Sequence, residues 1–487
     1  MNLISKSLFA FFTIAIFQTK AFPAEPFFAR YDLPALGSSY DITKEDFDED
    51  GFLDLALTCE VMDAYYISFF WGDGTGLFPT RYDRFHNGQR PNSIQTGDFN
   101  QDNDADIVVV NTLEHTVGTY LGDGSGSFSI YYTSASDDYP TYCIVDRLDG
   151  DSYDDLIAVS WVYGKAYVFL GQGDGFFQLV ESYDVGGGAS MVATADFFED
   201  GNADFVVSNM AYNEVVIMFG TGSGTFYGTK SIDVGYDAFA VATPDLNGDD
   251  HNDIVCLTKH TFETFLGDGE GGFAALENFY YLSPGARDIE PLDVDGDGNV
   301  DIACSFTIND MVRVYRGDGS GAFPNKRSIN SITRPYGITS GDFNGDGHTD
   351  LAVSSSNSEN LTILLNQWGV ASLDLLPPPE TDVERGSSIS FSLNAINTQD
   401  TTITCDIWLV ARRGPSAEIK IPSRIIDGPD NPTTLILDPG QQTQLQYTIS
   451  IPKYIAPGYY RLLARSGYFS CDLMNEDYFE GNILSDY

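Results

Sequence analysis

The sequence is dominated by a repeat with a period of about 49 residues. Seven times, an aspartate-rich loop is followed by an aspartate and an apolar run, as in DFNQDNDADIVVV and DFNGDGHTDLAVS. Successive loops are 52, 49, 49, 49, 48 and 49 residues apart, counted between their last aspartates, which are Asp54, Asp106, Asp155, Asp204, Asp253, Asp301 and Asp350. A fixed period of this length is typical of a chain that repeats one supersecondary unit side by side.

A glycine-rich motif runs in phase with the aspartate loops. It begins with GDGTGLF at Gly72–Phe78 and has six copies, the last of which ends at Phe323. Its glycines favour a tight turn between two strands, and its phenylalanine can pack between neighbouring units. With one strand on each side of both motifs, each unit is predicted to contain four short strands.

The seventh unit lacks the glycine turn and the strand after it. Residues 28–33 (FARYDL) match residues 78–83 (FPTRYD), the segment that follows the first glycine turn. The start of the chain can therefore supply the fourth strand of the last unit. Radially arranged sheets bury their faces and leave only short edges. We predict an all-β fold with a seven-bladed β-propeller over residues 25–368, closed by the N-terminal strand. An open solenoid is the alternative, and the displaced strand argues against it.

The aspartate loops follow the pattern D-x-[DN]-x-D-G-x-x-D, which suits a hard cation. Positions 1, 3 and 5 of a tight loop can each direct an oxygen to one centre, position 7 can offer its carbonyl and position 9 a bidentate carboxylate. Five loops carry the full set: Asp46, Asp48, Asp50 and Asp54; Asp98, Asn100, Asp102 and Asp106; Asp245, Asn247, Asp249 and Asp253; Asp293, Asp295, Asp297 and Asp301; and Asp342, Asn344, Asp346 and Asp350.

The third and fourth loops are degenerate. Phe198 occupies position 3 of the fourth loop, and Arg147 occupies position 1 of the third, because Asp146 is one residue out of register. These two sites are predicted to be weak or empty, with Arg147 as a candidate replacement for the cation. The alternative for any single loop is an Asx turn with solvated acids.

Ca²⁺ is the cation that the loops favour, at about five sites. Mg²⁺ keeps its waters and demands octahedral geometry, whereas Ca²⁺ accepts six to eight oxygens. No cluster of histidine and cysteine in the sequence suits zinc. At about 1 mM Ca²⁺ and a Kd of ~10⁻⁴ M, each site would stabilise the fold by about 1.4 kcal/mol. Five sites would then contribute about 7 kcal/mol, comparable to the stability of a whole domain.

At these loops the sequence resembles the FG-GAP/VCBS repeat family, whose best-known members are the propellers of integrin α-subunits. The resemblance covers about 340 residues. It implies a calcium-bearing propeller used for adhesion or ligand binding at a cell exterior. The family's ligand positions carry over onto the five intact loops only.

The repeat stops after Trp368, and residues 369–380, with Pro377–Pro379, are predicted to be a linker. Alternating segments separated by turn residues over residues 381–487 predict a β-sandwich. This segment resembles an immunoglobulin-like or bacterial adhesion-related domain. Cys405 and Cys471 either form a disulfide there or are separate thiols. The other four cysteines are predicted to be small core residues of the blades: Cys59, Cys143, Cys256 and Cys304.

Residues 1–24 are predicted to be a signal peptide. Lys6 precedes the ten-residue apolar run Leu8–Phe17, which is too short to span a bilayer, and Ala21 or Ala24 can precede the cleavage point. An uncleaved anchor is the alternative. No later run approaches the length of a membrane span, so we expect no transmembrane anchor and a secreted or cell-surface protein. The net charge of −46 argues against nucleic acid and anionic membrane as partners.

The sequence contains no convincing catalytic set, and cation binding explains its paired carboxylates. The propeller face opposite the aspartate loops is predicted to carry anchors for an extracellular protein or carbohydrate ligand. These candidates are Arg90, Tyr142, Trp161, Tyr212, Arg287, Arg334 and Tyr336. Ordinary surface and core aromatics are the alternative. Two functions remain: a non-enzymatic, calcium-stabilised binding or adhesion protein, which we favour, and a secreted polysaccharide-acting lyase or hydrolase.

Overall fold

The computed structural model describes residues 28–136, 138–276, 280–281 and 285–366, and beyond them the strand segments between residues 372 and 483. The chain divides into two units, one of residues 30–366 and one of the remaining residues. The predicted signal peptide lies outside the described residues. In the part of the chain that the structure describes, no helix has the length and apolar character needed to cross a membrane.

Seven antiparallel sheets form the larger unit, one for each repeat. The first three contain β2 (Ser38–Glu45), β3 (Asp54–Val61), β4 (Ala64–Trp71) and β5 (Thr80–Phe85); β6 (Pro91–Gly97), β7 (Asp106–Asn111), β8 (Thr116–Gly122) and β9 (Phe128–Ala135); and β10 (Tyr142–Asp146), β11 (Asp155–Ser160), β12 (Lys165–Gly171) and β13 (Phe177–Asp184). The next three contain β14 (Ala189–Ala195), β15 (Asp204–Asn209), β16 (Glu214–Gly220) and β17 (Phe226–Asp233); β18 (Ala238–Ala242), β19 (Ile254–Thr258), β20 (Thr261–Gly267), β21 (Phe273–Ala275) and β22 (Tyr280–Tyr281); and β23 (Ala286–Leu292), β24 (Asp301–Phe306), β25 (Met311–Arg316) and β26 (Asn325–Asn330).

The seventh sheet joins the two ends of the repeat region. It has the order β1-β29-β28-β27, where β1 is Phe28–Pro34, β27 is Pro335–Gly341, β28 is Asp350–Ser355 and β29 is Asn360–Asn366. The Ala35 N–H donates to the Glu359 carbonyl (2.8 Å), and the Thr362 hydroxyl donates to Asp32 (2.7 Å). The first strand of each blade contacts that of the next, and β27 contacts β2. The seven-bladed propeller with N-terminal closure is confirmed, and the open solenoid is excluded.

Aromatic side chains of the glycine turns pack at the interfaces between adjacent blades. Phe128 of the second blade packs against Phe47 in the first aspartate loop (5.6 Å between ring centroids), and Phe177 packs against Phe99 in the same way (5.0 Å). The same turns donate backbone hydrogen bonds to the preceding loop, as from Gly126 to the Phe47 carbonyl (3.0 Å). The predicted packing of these phenylalanines between units is therefore confirmed.

The second strands of the blades are the most deeply buried elements. Every residue of β7, β11, β15, β24 and β28 is buried, which explains their continuous apolar sequence. Four cysteines within the propeller are buried and free: Cys59, Cys143, Cys256 and Cys304. This agrees with the prediction that they fill small spaces in the core.

Two further sheets follow the propeller. They contain β30 (Ser372–Leu376), β31 (Asp382–Val383), β32 (Ser388–Ile396), β33 (Ile403–Arg413), β34 (Ala417–Lys420), β35 (Ile426–Asp427), β36 (Thr433–Leu437), β37 (Gln442–Ser450), β38 (Gly458–Gly467) and β39 (Asn475–Ile483). One sheet has the order β30-β32-β37-β35, and the other the order β31-β39-β38-β33-β34 with β36 also paired to β33. Strand β30 falls within the segment predicted as a linker, and the side chain of Cys405 and all of Cys471 lie outside the described residues.

The closing strand gives the first test of the fold. A chain that begins at residue 35 should melt about 5 °C or more below one that begins at residue 28, because the edge of β29 would lose its partner and the ring its closure. Differential scanning calorimetry of both chains in the same buffer measures the difference. Equal melting temperatures would contradict a stabilising role for the closure.

Candidate functional site

Each aspartate loop ends on a buried carboxylate that begins the second strand of its blade or, at Asp253, immediately precedes it. One oxygen of this ninth residue accepts the N–H of loop position 2, over 2.8–3.1 Å. The other accepts a backbone N–H at the end of the third strand, over 2.6–2.8 Å. The arrangement recurs in all seven blades, including the two degenerate ones. The ninth aspartate is thus a structural clamp as well as a candidate ligand.

Burial raises the pKa of every one of these carboxyl groups, against the opposing effect of their backbone hydrogen bonds. The pKa is about 6 for Asp155, Asp204 and Asp253, about 7 for Asp54, Asp106 and Asp301, and about 8 for Asp350. Neighbouring loop aspartates add to the upward shift. Without a cation, this residue is therefore protonated at a higher pH than an ordinary aspartate: below about pH 6 in three loops, and up to near-neutral pH in the other four.

The first aspartate of the loop closes it as an Asx-type turn. Asp46 accepts the N–H groups of Asp50 (3.1 Å) and Gly51 (2.9 Å). Position 6 has a positive φ, also where asparagine or aspartate replaces glycine, as at Asn103 (70°) and Asp250 (68°). That was predicted. Position 4 also has a positive φ, as at Glu49 (56°), and glycine stands there in four of the other loops, at Gly150, Gly248, Gly296 and Gly345.

The first loop has a donor set that fits a cation. Asp46, Asp48 and Asp54 each offer an oxygen, and these oxygens lie within 4.8 Å of one another. One oxygen of Asp48 is buried and has no hydrogen-bond partner, and its pKa is raised by burial and by Asp50 and Asp46. A buried, unpartnered acceptor beside other carboxylates is a site at which a hard cation would supply the missing interaction.

The sixth loop gathers Asp293, Asp295 and Asp297 within the same distance of one another. Here Arg316, at the end of β25, forms an ion pair with Asp295. This arginine supplies positive charge at position 3, so we expect a cation to bind more weakly in the sixth loop than in the first.

In the other three intact loops, an asparagine stands at position 3. Its side-chain N–H donates to the aspartate at position 5, over 2.8 Å from Asn100, 2.9 Å from Asn247 and 3.0 Å from Asn344. Its amide oxygen accepts the backbone N–H of the same aspartate. The asparagine predicted as a ligand therefore directs its amide N–H, and not its oxygen, toward the carboxylate of the aspartate at position 5.

The third and fourth loops retain the ninth aspartate with its two backbone hydrogen bonds, but each lacks one of the predicted cation ligands. Phe198 packs against Phe219, with 4.7 Å between ring centroids. Arg147 pairs with Asp154 at 3.3 Å, a loop residue outside the ligand pattern, and its side chain is 65% exposed. The structure thus places Arg147 at the rim of the loop and not at its centre, so it does not stand in for the cation.

At the other end of the propeller, the first strands of six blades bulge around a central pocket. The residues skipped by the strand register are Tyr40 and Asp41; Asn92; Ser190 and Met191; Phe239; Arg287 and Asp288; and Tyr336 and Gly337. All of them line this pocket, whose volume is about 550 Å³. A bulge re-aims side chains that regular alternation would place elsewhere, and six bulges together build the pocket wall.

The predicted ligand-face residues divide into two groups. Five line the central pocket: Arg90, Tyr142, Trp161, Arg287 and Tyr336. Tyr212 is 65% exposed, and neither it nor Arg334 is among the residues that line the pocket. The structure therefore brings together five of the seven residues, while the ligand role predicted for them stays a prediction.

Two pocket acids were missed by sequence reasoning. Asp41 accepts the N–H of Ile42 and of Ile94 in the next blade (both 2.9 Å), and Asp288 accepts those of Ile289 and of Ile338 in the next blade (both 2.9 Å). Burial raises the pKa of Asp41 to about 6 and that of Asp288 well above its usual range. The only sequence signal that could have identified these acids is the Asp-Ile pair that recurs in two first strands, at Asp41-Ile42 and Asp288-Ile289.

Comparisons with known proteins add the following. A family model described as FG-GAP-like repeat matches residues 46–109, 147–207, 196–256, 245–304 and 293–353, which cover more than half of the chain and include all seven aspartate loops. The comparison with curated proteins found no match. Two solved structures are similar in part.

A functionally unknown protein from Desulfotomaculum acetoxidans DSM 771 has 13% sequence identity to this chain and a TM-score of 0.44, over 61% of this chain and 90% of that one. A beta-glucosidase from Listeria innocua in complex with glucose has 13% identity and a TM-score of 0.18, over 24% of this chain and 16% of that one. Both scores are too low to carry an argument.

The raised pKa values predict how the metal-free protein responds to pH. In the folded state the seven clamp aspartates have pKa values of about 6 to 8, above the ordinary value of about 3.9 in an unfolded chain. The folded state therefore binds more protons between these values. The stability that these seven groups contribute is full below about pH 4 and is lost as the pH rises through 6 to 8.

Metal-stripped protein should accordingly melt at a lower temperature at pH 8.5 than at pH 5.5. Circular dichroism melts across this range in 1 mM EDTA measure the trend, and parallel melts in 5 mM CaCl₂ serve as the control in which the trend flattens. A melting temperature that rises with pH in EDTA would contradict the assignment of these carboxyl groups.

Proposed function

Because the chain belongs to the FG-GAP-like repeat family, we propose that it is an exported, calcium-stabilised propeller that binds protein or carbohydrate ligands. The observation that carries the binding role is the central pocket, to which six bulged strands contribute. The calcium role rests on a different end of the molecule, and the two parts can be tested separately.

Calcium would occupy the five intact loops. In the first loop Asp46, Asp48 and Asp54 would hold it, and the unpartnered oxygen of Asp48 supports this assignment most directly. The ion would supply positive charge to carboxylates that otherwise repel one another and take up protons. Five Ca²⁺ would change the net charge from −46 by +10. The ions are structural in this proposal, because they bind in loops at the end of the propeller away from the pocket.

Export is proposed from the N-terminal apolar run, and the secreted or cell-surface location follows from it. The two C-terminal sheets, of four and six strands, support a β-sandwich of immunoglobulin-like type as a second module. Adhesion would combine this module with the ligand pocket of the propeller. An extracellular location also supplies the millimolar calcium that sites of moderate affinity need.

The pocket supports binding better than catalysis. Large apolar side chains are exposed on the surrounding loops between second and third strands, where they would contact a ligand; they are Met62, Leu113, Trp161, Val162, Tyr163, Tyr212 and Ile308. The acids Asp41 and Asp288 have shifted pKa values, as a catalytic base would. Both oxygens of each, however, accept backbone hydrogen bonds, which fits a role in holding adjacent blades together.

Calcium removal should lower the melting temperature by about 10 °C, because five sites contribute about 7 kcal/mol. Two matched variants separate the metal from the clamp. Asp106→Asn and Asp155→Asn each weaken the same pair of backbone hydrogen bonds, but only Asp106 belongs to an intact loop. In EDTA both should lose a similar amount of stability, about 1–3 kcal/mol. In CaCl₂, Asp106→Asn should gain about 2 °C less than the parent, and Asp155→Asn should gain the same as the parent.

Scanning calorimetry in EDTA, in CaCl₂ and in MgCl₂ measures these gains. Magnesium should restore less stability than calcium at equal concentration. A melting curve that is identical in EDTA and CaCl₂ would refute the calcium proposal, and equal calcium gains in the two variants would refute the loop assignment.

Ligand binding should be detectable on glycan and protein arrays in the presence of calcium. Trp161→Ala, in the pocket wall, should lower the affinity for any bound ligand at least tenfold, because aromatic anchors dominate such sites. Tyr227→Ala is the matched control, since Tyr227 is 54% exposed on an outer strand. Turnover of acidic polysaccharides that depends on Asp41 would instead support the lyase or hydrolase alternative. Array signals unaffected by Trp161→Ala would remove the pocket from the proposal.

A further inference from the structure

Two arginines in the central pocket have no counter-ion. Arg90 and Arg287 both line it, and among the described residues neither guanidinium group has an ion pair or a hydrogen-bond acceptor. Arg287 lies over two rings, at 5.8 Å from the Phe239 centroid and 5.6 Å from the Tyr336 centroid. Burial raises the pKa of Tyr336; Arg287 and Arg90 lower it, and Asp41 and Asp288 raise it further, so both arginines and both acids lie near this ring.

The absence of a counter-ion is informative in a chain with a net charge of −46. Acidic side chains outnumber basic ones by 71 to 25, and two of them, Asp41 and Asp288, line the same pocket. Their oxygens accept backbone N–H groups of their own and the adjacent blade. The pocket acids are thus engaged in the wall, and the two guanidinium groups remain available to a ligand.

The remaining wall is strongly aromatic. Tyr40, Tyr139, Tyr142, Trp161, Phe239 and Tyr336 line the pocket, and Tyr40 meets Tyr336 edge to face at 5.7 Å between centroids. Aromatic faces pack against the C–H face of a sugar ring, and a guanidinium fork binds an oxyanion through two parallel hydrogen bonds. The volume of about 550 Å³ lies in the range of about 300–1,000 Å³ for small-molecule sites.

We propose that the central pocket binds an acidic sugar, with the ring against the aromatic wall and the oxyanion on Arg90 and Arg287. This inference rests on the proposed binding function and specifies its ligand. The shared chemistry is an oxyanion on a pyranose ring, which a uronic acid carries as a carboxylate and a sulfated sugar as a sulfate ester.

Titration calorimetry of the full-length protein in CaCl₂ tests the proposal with three matched probes: methyl glucuronide, glucose 6-sulfate and methyl glucoside. At least one anionic probe should bind at least tenfold more tightly than the neutral glycoside, a difference of about 1.4 kcal/mol. Arg90→Gln and Arg287→Gln should each weaken its binding about tenfold. Arg334→Gln is the control, because Arg334 lies on the same face but does not line the pocket. This variant should bind the anionic probe with the same affinity as the parent protein. Tighter binding of the glucuronide would indicate a pocket for uronic acids, and tighter binding of the sulfate would indicate a pocket for sulfated sugars.

Two outcomes would overturn the inference, and they differ in what they say about the proposed function. If neutral and anionic sugars bind equally and the arginine variants change nothing, the pocket is a binding site but not one for acidic sugars. If no sugar binds and the arrays also give no ligand that depends on Trp161, both the inference and the proposed function fail. Melting curves of each variant confirm that it is folded.

Discussion

A buried carboxylate that accepts two backbone N–H groups lies at the start of the second strand in all seven blades, and the aspartate-loop end of the propeller depends on it. Asp54 joins Phe47 in the loop to Gly72 at the end of the third strand. Burial of this group is unfavourable unless the charge is neutralised, by a proton or by a cation. The same atoms that hold the blade together therefore make its stability sensitive to pH, and a cation bound there would change it as well.

The clamp also reaches the neighbouring blade. Its loop presents the Phe47 carbonyl to the Gly126 N–H of the next glycine turn (3.0 Å), and the side chain of Phe47 to Phe128. The corresponding backbone bond recurs between Gly175 and Phe99. A loop that is ordered by a cation thus orders one joint of the ring as well. Through this coupling, cations bound in separate loops would stabilise one closed ring.

The features that depend on the repeat period and on residue chemistry could be predicted from the sequence. The features that depend on strand register or on side-chain conformation could not. The 49-residue repeat and the FARYDL segment sufficed to predict seven blades, their closure and the phase of the loops. The bulges that direct Asp41, Asp288 and Phe239 into the pocket are not marked by any characteristic residue, so they could not be predicted from the sequence. The pairing of Arg147 with Asp154, and not with the loop centre, depends on the path of a long side chain. The donation from Asn100 to Asp102 depends on the orientation of an amide.

The two ends of the propeller can influence each other through ring closure. No blade contains the pocket by itself, because its wall is assembled from bulged strands of six blades, and Asp41 and Asp288 each join one of these blades to the next. A ligand that contacts several of these strands binds the closed ring and not an opened one, so it stabilises closure by mass action. Calcium in the proposed loop sites would stabilise the same closed state from the opposite end. The two proposed ligands would then promote each other's binding without any contact between them, to the extent that the ring opens in their absence.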